Sequence, residues 1–193
     1  MELIAGIDEA GRGPIAGPVV SAAVIFEKGD YINGVDDSKK LTPSKREKLY
    51  EIIIDRALCW SVGIVNENMI DRINILNATL LSMKKAVENL KVKPEFLLID
   101  GNITPDIDYP SRTIVKGDSL SFSIASASII AKVVRDKIMK DYHNSYPFYS
   151  FSKNKGYATK EHIYAVREFG LCPIHRRTFC RKILNDKQSL INF

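Results

Sequence analysis

Residues 3–20 read Leu3-Ile4-Ala5-Gly6-Ile7-Asp8-Glu9-Ala10-Gly11-Arg12-Gly13-Pro14-Ile15-Ala16-Gly17-Pro18-Val19-Val20. The stretch opens as an apolar run of strand character. It then presents two adjacent carboxylates, Asp8 and Glu9, and passes into a loop with three glycines and two prolines. Side chains alternate faces along a strand, so neighbouring acids share a site only where the pleat breaks, at a strand end or a bulge. Gly11 and Gly13 supply such a break, because glycine adopts backbone angles that other residues resist. Such a pair, beside backbone bare enough for close approach, suits a divalent metal held against a substrate. Taken alone, it better suits a turn; two further acids that end apolar runs later in the chain shift the balance. The glycine spacing does not make a dinucleotide fingerprint, since strand-like Val19–Phe26 follows where a helix is required, and no Gly-Lys-Ser/Thr marks a phosphate loop.

Outward from this stretch, Pro18–Phe26 reads as a second strand and 33–41 as a polar loop. Thr42-Pro43 is an N-cap followed by proline at the first helical position, opening a helix through Lys45, Leu49, Ile52 and Ile53. Ala57–Val65 is a third strand, and Asn66–Asn74 a short helix or turn. Leu76, Leu80, Met83, Val87 and Leu90 then recur at helical spacing, a core stripe. Phe96–Gly101 is a short buried strand ending in Asp100. Thr113–Lys116 is a fifth strand, ended by Gly117-Asp118. A long helix is expected over Ser121–Tyr142, opening on small residues that fit tight packing or a phosphate contact equally well. Another helix spans 159–169 and stops at Gly170. The order predicts an α/β fold, a mixed central sheet flanked by helices, with a small C-terminal helical basic segment. Asp8-Glu9, Asp100 and Asp118 end three apolar strands, where such sheets gather their sites. Crowded carboxylates repel, and a divalent cation resolves the repulsion. Oxygen-only ligands favour Mg²⁺ or Mn²⁺ over zinc.

At 193 residues, 45% hydrophobic and 26% charged, the chain buries a substantial core. The expectation is one structural unit, with 1–143 as catalytic core and 144–193 as a basic substrate-binding segment packed on it. No apolar run spans a bilayer, and the N-terminus enters the first strand without a signal-type segment, so a cytoplasmic protein with no membrane contact is expected. Three cysteines, Cys59, Cys172 and Cys180, fit reduced thiols. Cys172, His175 and Cys180 lack zinc-site spacing and a fourth ligand. His143 and His162 read as surface or packing residues. The net charge is +5, yet residues 151–182 hold eight Lys/Arg against two Glu, leaving 20 basic and 21 acidic residues elsewhere. That concentration, with Phe151 and Tyr157 among the lysines, suits a nucleic-acid surface.

Six motifs in series resemble the ribonuclease HII family. These are Gly6–Pro14, Asp37-Ser38-Lys39-Lys40-Leu41, Leu98–Gly101, Lys116–Ser119, Ser126–Asp136 and Lys155–Thr159, with His175–Phe179 after them. The resemblance runs from residue 3 to about 182. It implies a ribonuclease H-like fold, hydrolysis of the RNA strand of RNA–DNA hybrids, and incision at ribonucleotides embedded in duplex DNA. By motif position, Asp8, Glu9, Asp100 and Asp118 correspond to the family's metal-binding and catalytic carboxylates, which hold two Mn²⁺ or Mg²⁺ ions. Gly11, Arg12 and Gly13 correspond to the loop that senses the ribose 2′-hydroxyl, and Tyr157 to the tyrosine that packs on the neighbouring deoxyribose. Lys39, with Lys40, Lys132, Arg176 and Arg177, is a candidate for phosphate contacts. The related ribonuclease HIII carries an extra N-terminal domain that is not expected here.

Two other readings stand beside this one. A non-catalytic nucleic-acid binder would use the basic segment alone and leave the four acids unexplained. A two-metal nuclease acting on DNA junctions would share the fold but ignore the 2′-hydroxyl. The segment Gln188–Phe193 resembles peptides that dock on the bacterial sliding clamp, with Gln188, Ile191 and Phe193 as anchors. A monomer is expected.

Overall fold

The apolar runs flanking the glycine loop become β1 (Ile4–Ala10) and β2 (Val19–Ile25), an antiparallel pair in register Asp8↔Ala22. Every residue of β2 is buried, as befits a strand covered on both faces. β3 (Cys59–Val65) adds antiparallel to β2, while β4 (Phe96–Asp100) and β5 (Ser111–Ile114) add in parallel on the other side, giving the order β3-β2-β1-β4-β5. This computed structural model describes residues 3–36 and 38–190. The sheet is the mixed one expected from the sequence.

Helices cover both faces. α1 (Pro43–Arg56) starts as its sequence dictates, with the Lys45 N–H donating to the Thr42 hydroxyl at 3.3 Å. α1 and α3 (Phe122–Ser145) bury Ala22 and Val24 of the sheet. α2 (Glu67–Glu88) covers the opposite face, packing Met83, Ala86 and Val87 on Ile7, Ile25 and Ile99. α2 is two helices in one. It breaks at Asn74, φ 67°, whose carboxamide oxygen accepts the Asn77 N–H at 3.1 Å and caps the second half. This is the division expected between Asn66–Asn74 and the apolar stripe after it. Among the described residues no helix is long and apolar enough to cross a membrane.

Beyond α3 come a short α4 (Phe151–Asn154), which sequence periodicity does not reveal, then α5 (Lys160–Phe169) and α6 (Arg177–Leu190). Their apolar residues Phe151, Val166 and Cys180 form a separate cluster around Ile15 and Ala16 of the glycine loop. α6 is tied to the core at its start: the Asp71 carboxylate of α2 accepts the N–H groups of Arg177 (2.7 Å) and Thr178 (3.0 Å). An anion there satisfies donors that a helix N-terminus leaves open.

β1 extends two residues past its expected end at Asp8, because Glu9 and Ala10 stay paired with Ser21 and Val20. The pleat therefore does not break at the acids. What ends there is the ladder on the other side, whose last paired residues are Ile7↔Ile99.

Gly6 is where α3 crosses β1. A Cβ there would lie 2.2 Å from the Ser123 backbone carbonyl carbon. Gly6→Ala should therefore force strand and helix apart, lowering the unfolding free energy by about 3 kcal/mol in urea titration, the cost of overpacking against backbone that cannot yield.

Candidate functional site

Parallel pairing of β1 with β4 in the register Ile7↔Ile99 sets Asp8 level with Asp100 on the α3 face of the sheet. Glu9 alternates to the other face, but β4 no longer flanks it there and its longer side chain reaches back. One carboxylate oxygen from each of Asp8, Glu9 and Asp100 lies within 4.8 Å of the others. Asp100 is fixed by the Gly117 N–H, which donates to it at 2.7 Å. The next residue, Asp118, is buried in the turn Gly117–Ser119, with the Lys39 ammonium 4.0 Å from its carboxylate.

The cluster is electrostatically unsatisfied. Burial, then the charges of Glu9 and Asp100, push the Asp8 carboxyl well above the usual carboxylate range. Burial likewise raises Glu9, with Arg12 opposing at 3.4 Å. Hydrogen bonds to Asp8 work against its shift: the Glu9 N–H at 2.6 Å, and Ser128 of α3. A carboxylate only accepts, so Ser128 donates to Asp8 and takes the Ser38 hydroxyl proton across 2.9 Å. Three close oxygen donors that favour a proton when bare are a donor set matched to hard divalent cations.

The loop after β1 is shaped by two arginines. Arg135 of α3 donates to the carbonyls of Pro18 (2.9 Å), Ala16 (3.1 Å) and Lys155 (2.9 Å). Arg176 spends all five of its N–H donors on the carbonyls of Gly17, Arg12, Pro14, Gly11 and Pro18, at 2.6–3.2 Å. Both side chains are buried. Burial lowers their pKa values to about 10 and about 9, so both remain charged at neutral pH. Gly11 sits at φ +101°, and a Cβ there would lie 2.1 Å from Arg135 Nε. Only glycine fits both the angle and the space.

A cavity of about 390 Å³ opens between Glu9, Gly11–Gly13, Lys39, Lys132 and Tyr157. The Tyr157 ring is 45% exposed, and its Cε1 lies 3.6 Å from where Gly13 would carry a Cβ. The structure thus gathers Glu9, the Gly11–Gly13 loop, Lys39 and Tyr157 around one space. Asp8 and Asp100 join Glu9 in the carboxylate cluster, and Asp118 is reached through Lys39 and Gly117.

Arg176 corrects the sequence reading. It is fully buried and has no donor left for a phosphate. Lys132 lines the cavity while paired to Asp136 at 2.6 Å. The small residues opening α3 serve tight packing: Ser123 backs onto Gly6, and Ser126 bonds the Phe122 carbonyl. Sequence reasoning missed Arg135 and Arg176 as organisers of the loop, and Ser38 and Ser128 as supports of Asp8. No local pattern distinguishes a buried arginine from an exposed one.

With this geometry established, similarity to known proteins is extensive. The family model described as Ribonuclease HII matches residues 5–182. A ribonuclease HII of Caldanaerobacter subterraneus subsp. tengcongensis is 57% identical over 95% of this chain and 76% of its own length. The crystal structure of ribonuclease H2 from Pyrococcus horikoshii superposes with a TM-score of 0.80 at 28% identity, covering 96% of this chain and 99% of that one. An RNase HII from Archaeoglobus fulgidus, solved as a PCNA:RNase HII complex, gives 0.70 at 27% identity, over 90% of this chain and 93% of that one.

Arg176→Lys keeps the charge but not the five-pronged donor set, stranding several loop carbonyls at ~1–3 kcal/mol each. Thermal and urea unfolding should show a loss of about 3 kcal/mol, and amide exchange should rise first in residues 11–18.

Proposed function

The chain belongs to the ribonuclease HII family, and from that premise we propose how its own residues carry the family's reaction. The protein is a metal-dependent endonuclease of the ribonuclease H class, with the ribonuclease H-like fold. Its substrates are RNA–DNA hybrids and, on our reading, DNA duplexes containing ribonucleotides, met in the cytoplasm by a single copy of the chain. The observation that carries the residue assignment is the juxtaposition of three carboxylates within 4.8 Å with the cavity bordered by Gly11–Gly13.

Asp8, Glu9, Asp100 and Asp118 would hold two Mn²⁺ or Mg²⁺ ions. When bound, the ions supply an activated water and neutralise charge on the leaving oxygen. Hydrolysis breaks the P–O3′ bond and leaves 3′-hydroxyl and 5′-phosphate ends. The Asp8 and Asp100 carboxylates are held by hydrogen bonds from their own side of the site, so neither must reorganise to take up its ligand. The loop selects RNA through the 2′-hydroxyl, which donates and accepts. Support comes from its carbonyls: those of Gly11 and Arg12 are turned inward onto Arg176, away from the cavity. Gly13, without a side chain, leaves backbone open to a sugar. Tyr157 packs on the deoxyribose beyond the ribonucleotide. Lys39, 80% exposed, takes a backbone phosphate, and residues 144–193 form the duplex-binding segment.

We also propose a clamp contact through Gln188–Phe193. The complex of the archaeal relative with PCNA supports it. Residues 191–193, with the anchors Ile191 and Phe193, lie outside the described residues. Deleting Gln188–Phe193 should abolish retention on immobilised sliding clamp and leave hybrid cleavage within about twofold.

The deciding assay is cleavage of a duplex with one embedded ribonucleotide, with and without Mn²⁺, with product ends mapped and an all-DNA duplex as control. The control should stay intact, which separates this reading from a junction nuclease. Asp8→Asn or Asp100→Asn should lower turnover by on the order of 10³-fold or more, while duplex affinity, measured without cleavage, changes less than tenfold.

A further inference from the structure

His162 of α5 and His175 are both buried, and their Nε2 atoms lie 3.0 Å apart. The backbone at each end dictates where their protons sit. His162 Nδ1 lies 2.8 Å from the Tyr157 carbonyl, which only accepts, so this nitrogen carries the hydrogen. The neutral ring then accepts at Nε2, and His175 must donate from its own Nε2. His175 Nδ1 is left as an acceptor, and there the Cys172 N–H donates to it at 3.0 Å. Two neutral imidazoles satisfy the chain of bonds from the Cys172 N–H to the Tyr157 carbonyl; the Cys172 thiol and carbonyl also lie 3.1 and 3.3 Å from His175 Nδ1, and in this tautomer that carbonyl receives no hydrogen from the ring. Burial favours that state: it lowers the pKa of His162, and together with the neighbouring His162 it brings that of His175 down to about 4. Tyr149 and Phe151 pack edge-on around the pair, with centroids 4.9 Å from His175 and 5.3 Å from His162.

The relay ends on a segment braced partly by its own bonds, the Gly156 N–H donating to Asn154 Oδ1 and the Thr159 N–H to the Tyr157 carbonyl, each at 2.8 Å. Lys155 (φ 52°) and Gly156 (φ 84°) both lie in the left-handed region immediately before Tyr157. A non-glycine residue held there costs on the order of 1 kcal/mol and needs outside anchors. The anchors are on both sides: Arg135 on the Lys155 carbonyl, the Ile15 N–H on the Gly156 carbonyl, and His162 on the Tyr157 carbonyl. At the far end, His175 pairs with Ala16 in a β-bridge and precedes Arg176. The two imidazoles therefore connect the backbone under the Tyr157 ring to the segment that shapes the Gly11–Gly13 loop.

We propose that His162 and His175 are positioning residues that set the Tyr157 ring at its distance from the Gly11–Gly13 loop, and so govern cleavage at an isolated ribonucleotide. This rests on the reading of Tyr157 as the residue that packs on the sugar. Two near-isosteric variants separate the bonds. His162→Asn keeps an amide donor where Nδ1 meets the Tyr157 carbonyl. His162→Gln keeps a polar group only toward His175. The readout is the ratio of kcat/KM for a duplex with one embedded ribonucleotide to that for a long RNA–DNA hybrid, with Mn²⁺, below the melting temperature of each variant. We expect His162→Gln to lower this ratio at least fivefold, chiefly through kcat, and His162→Asn to keep it within twofold. Gln in a Tyr157→Ala background should add no further loss of ratio. Equal loss on both substrates, equal ratios for Asn and Gln, or losses that multiply in the double variant would overturn the proposal. An unchanged ratio in Tyr157→Ala would overturn the reading of Tyr157 itself and the proposal with it. A lowered ratio there beside an unchanged one in His162→Gln would overturn the proposal alone.

Discussion

Two buried guanidinium groups behind the glycine loop are the constraint on which the rest of the site depends. Their eight hydrogen bonds go to backbone carbonyls and none to a carboxylate. A buried charge is costly unless its hydrogen-bonding capacity is filled. Here the filling is complete for Arg176, and all five carbonyls that supply it belong to the loop. The dependence runs both ways. A loop rich in glycine and proline has little structure of its own, and without the arginines its inward carbonyls would be left dry. Charge and loop thus satisfy one another, and the loop's outer surface is left to line the cavity.

The sheet contributes the other half. Parallel pairing of two strands distant in sequence brings Asp8 and Asp100 level, and the early end of that ladder lets Glu9 join them. The Asp8 and Asp100 carboxylates are held by hydrogen bonds from Gly117 in the turn after β5, Ser128 of α3 and the Glu9 backbone of β1. Gly6 sets how closely α3, which carries Ser128 and Arg135, can lie on β1. One close approach therefore positions both the acid cluster and a loop-shaping arginine.

Much of this was legible in the sequence. Of the three strands expected to end in acids, β4 does, at Asp100, while β1 runs on to Ala10 and β5 stops at Ile114, four residues before Asp118; the cap Thr42 marked a helix start through local hydrogen bonding that the structure repeats. The meeting of Asp8, Glu9 and Asp100 was readable because strand ends converge in such sheets. What failed to show was whatever depends on distant partners. Arg176 read as part of a basic surface because composition counts charges without locating them. His162 read correctly as a packing residue, but its bond to His175 links two segments whose proximity no periodicity encodes. Glu9 was expected at a break in the pleat. It lies instead inside a strand whose neighbour on one side has ended, a distinction that belongs to pairing and not to the strand itself.

The span between Gly11 and Arg176 carries one more consequence. These two residues stand 165 positions apart, and the Cys180 sulfur closes on the Ile15 carbonyl across an equal interval. On a ribosome the loop is made 165 residues before its guanidinium partner. The nascent chain can build its sheet and pack its helices while the loop still lacks the donors that shape it. Contacts so far apart are also the slowest to close from an unfolded chain. Biosynthesis thereby delays the shaping of the loop until Arg176 has been made, and a chain ending before it would keep residues 11–18 while lacking five of the donors that hold them.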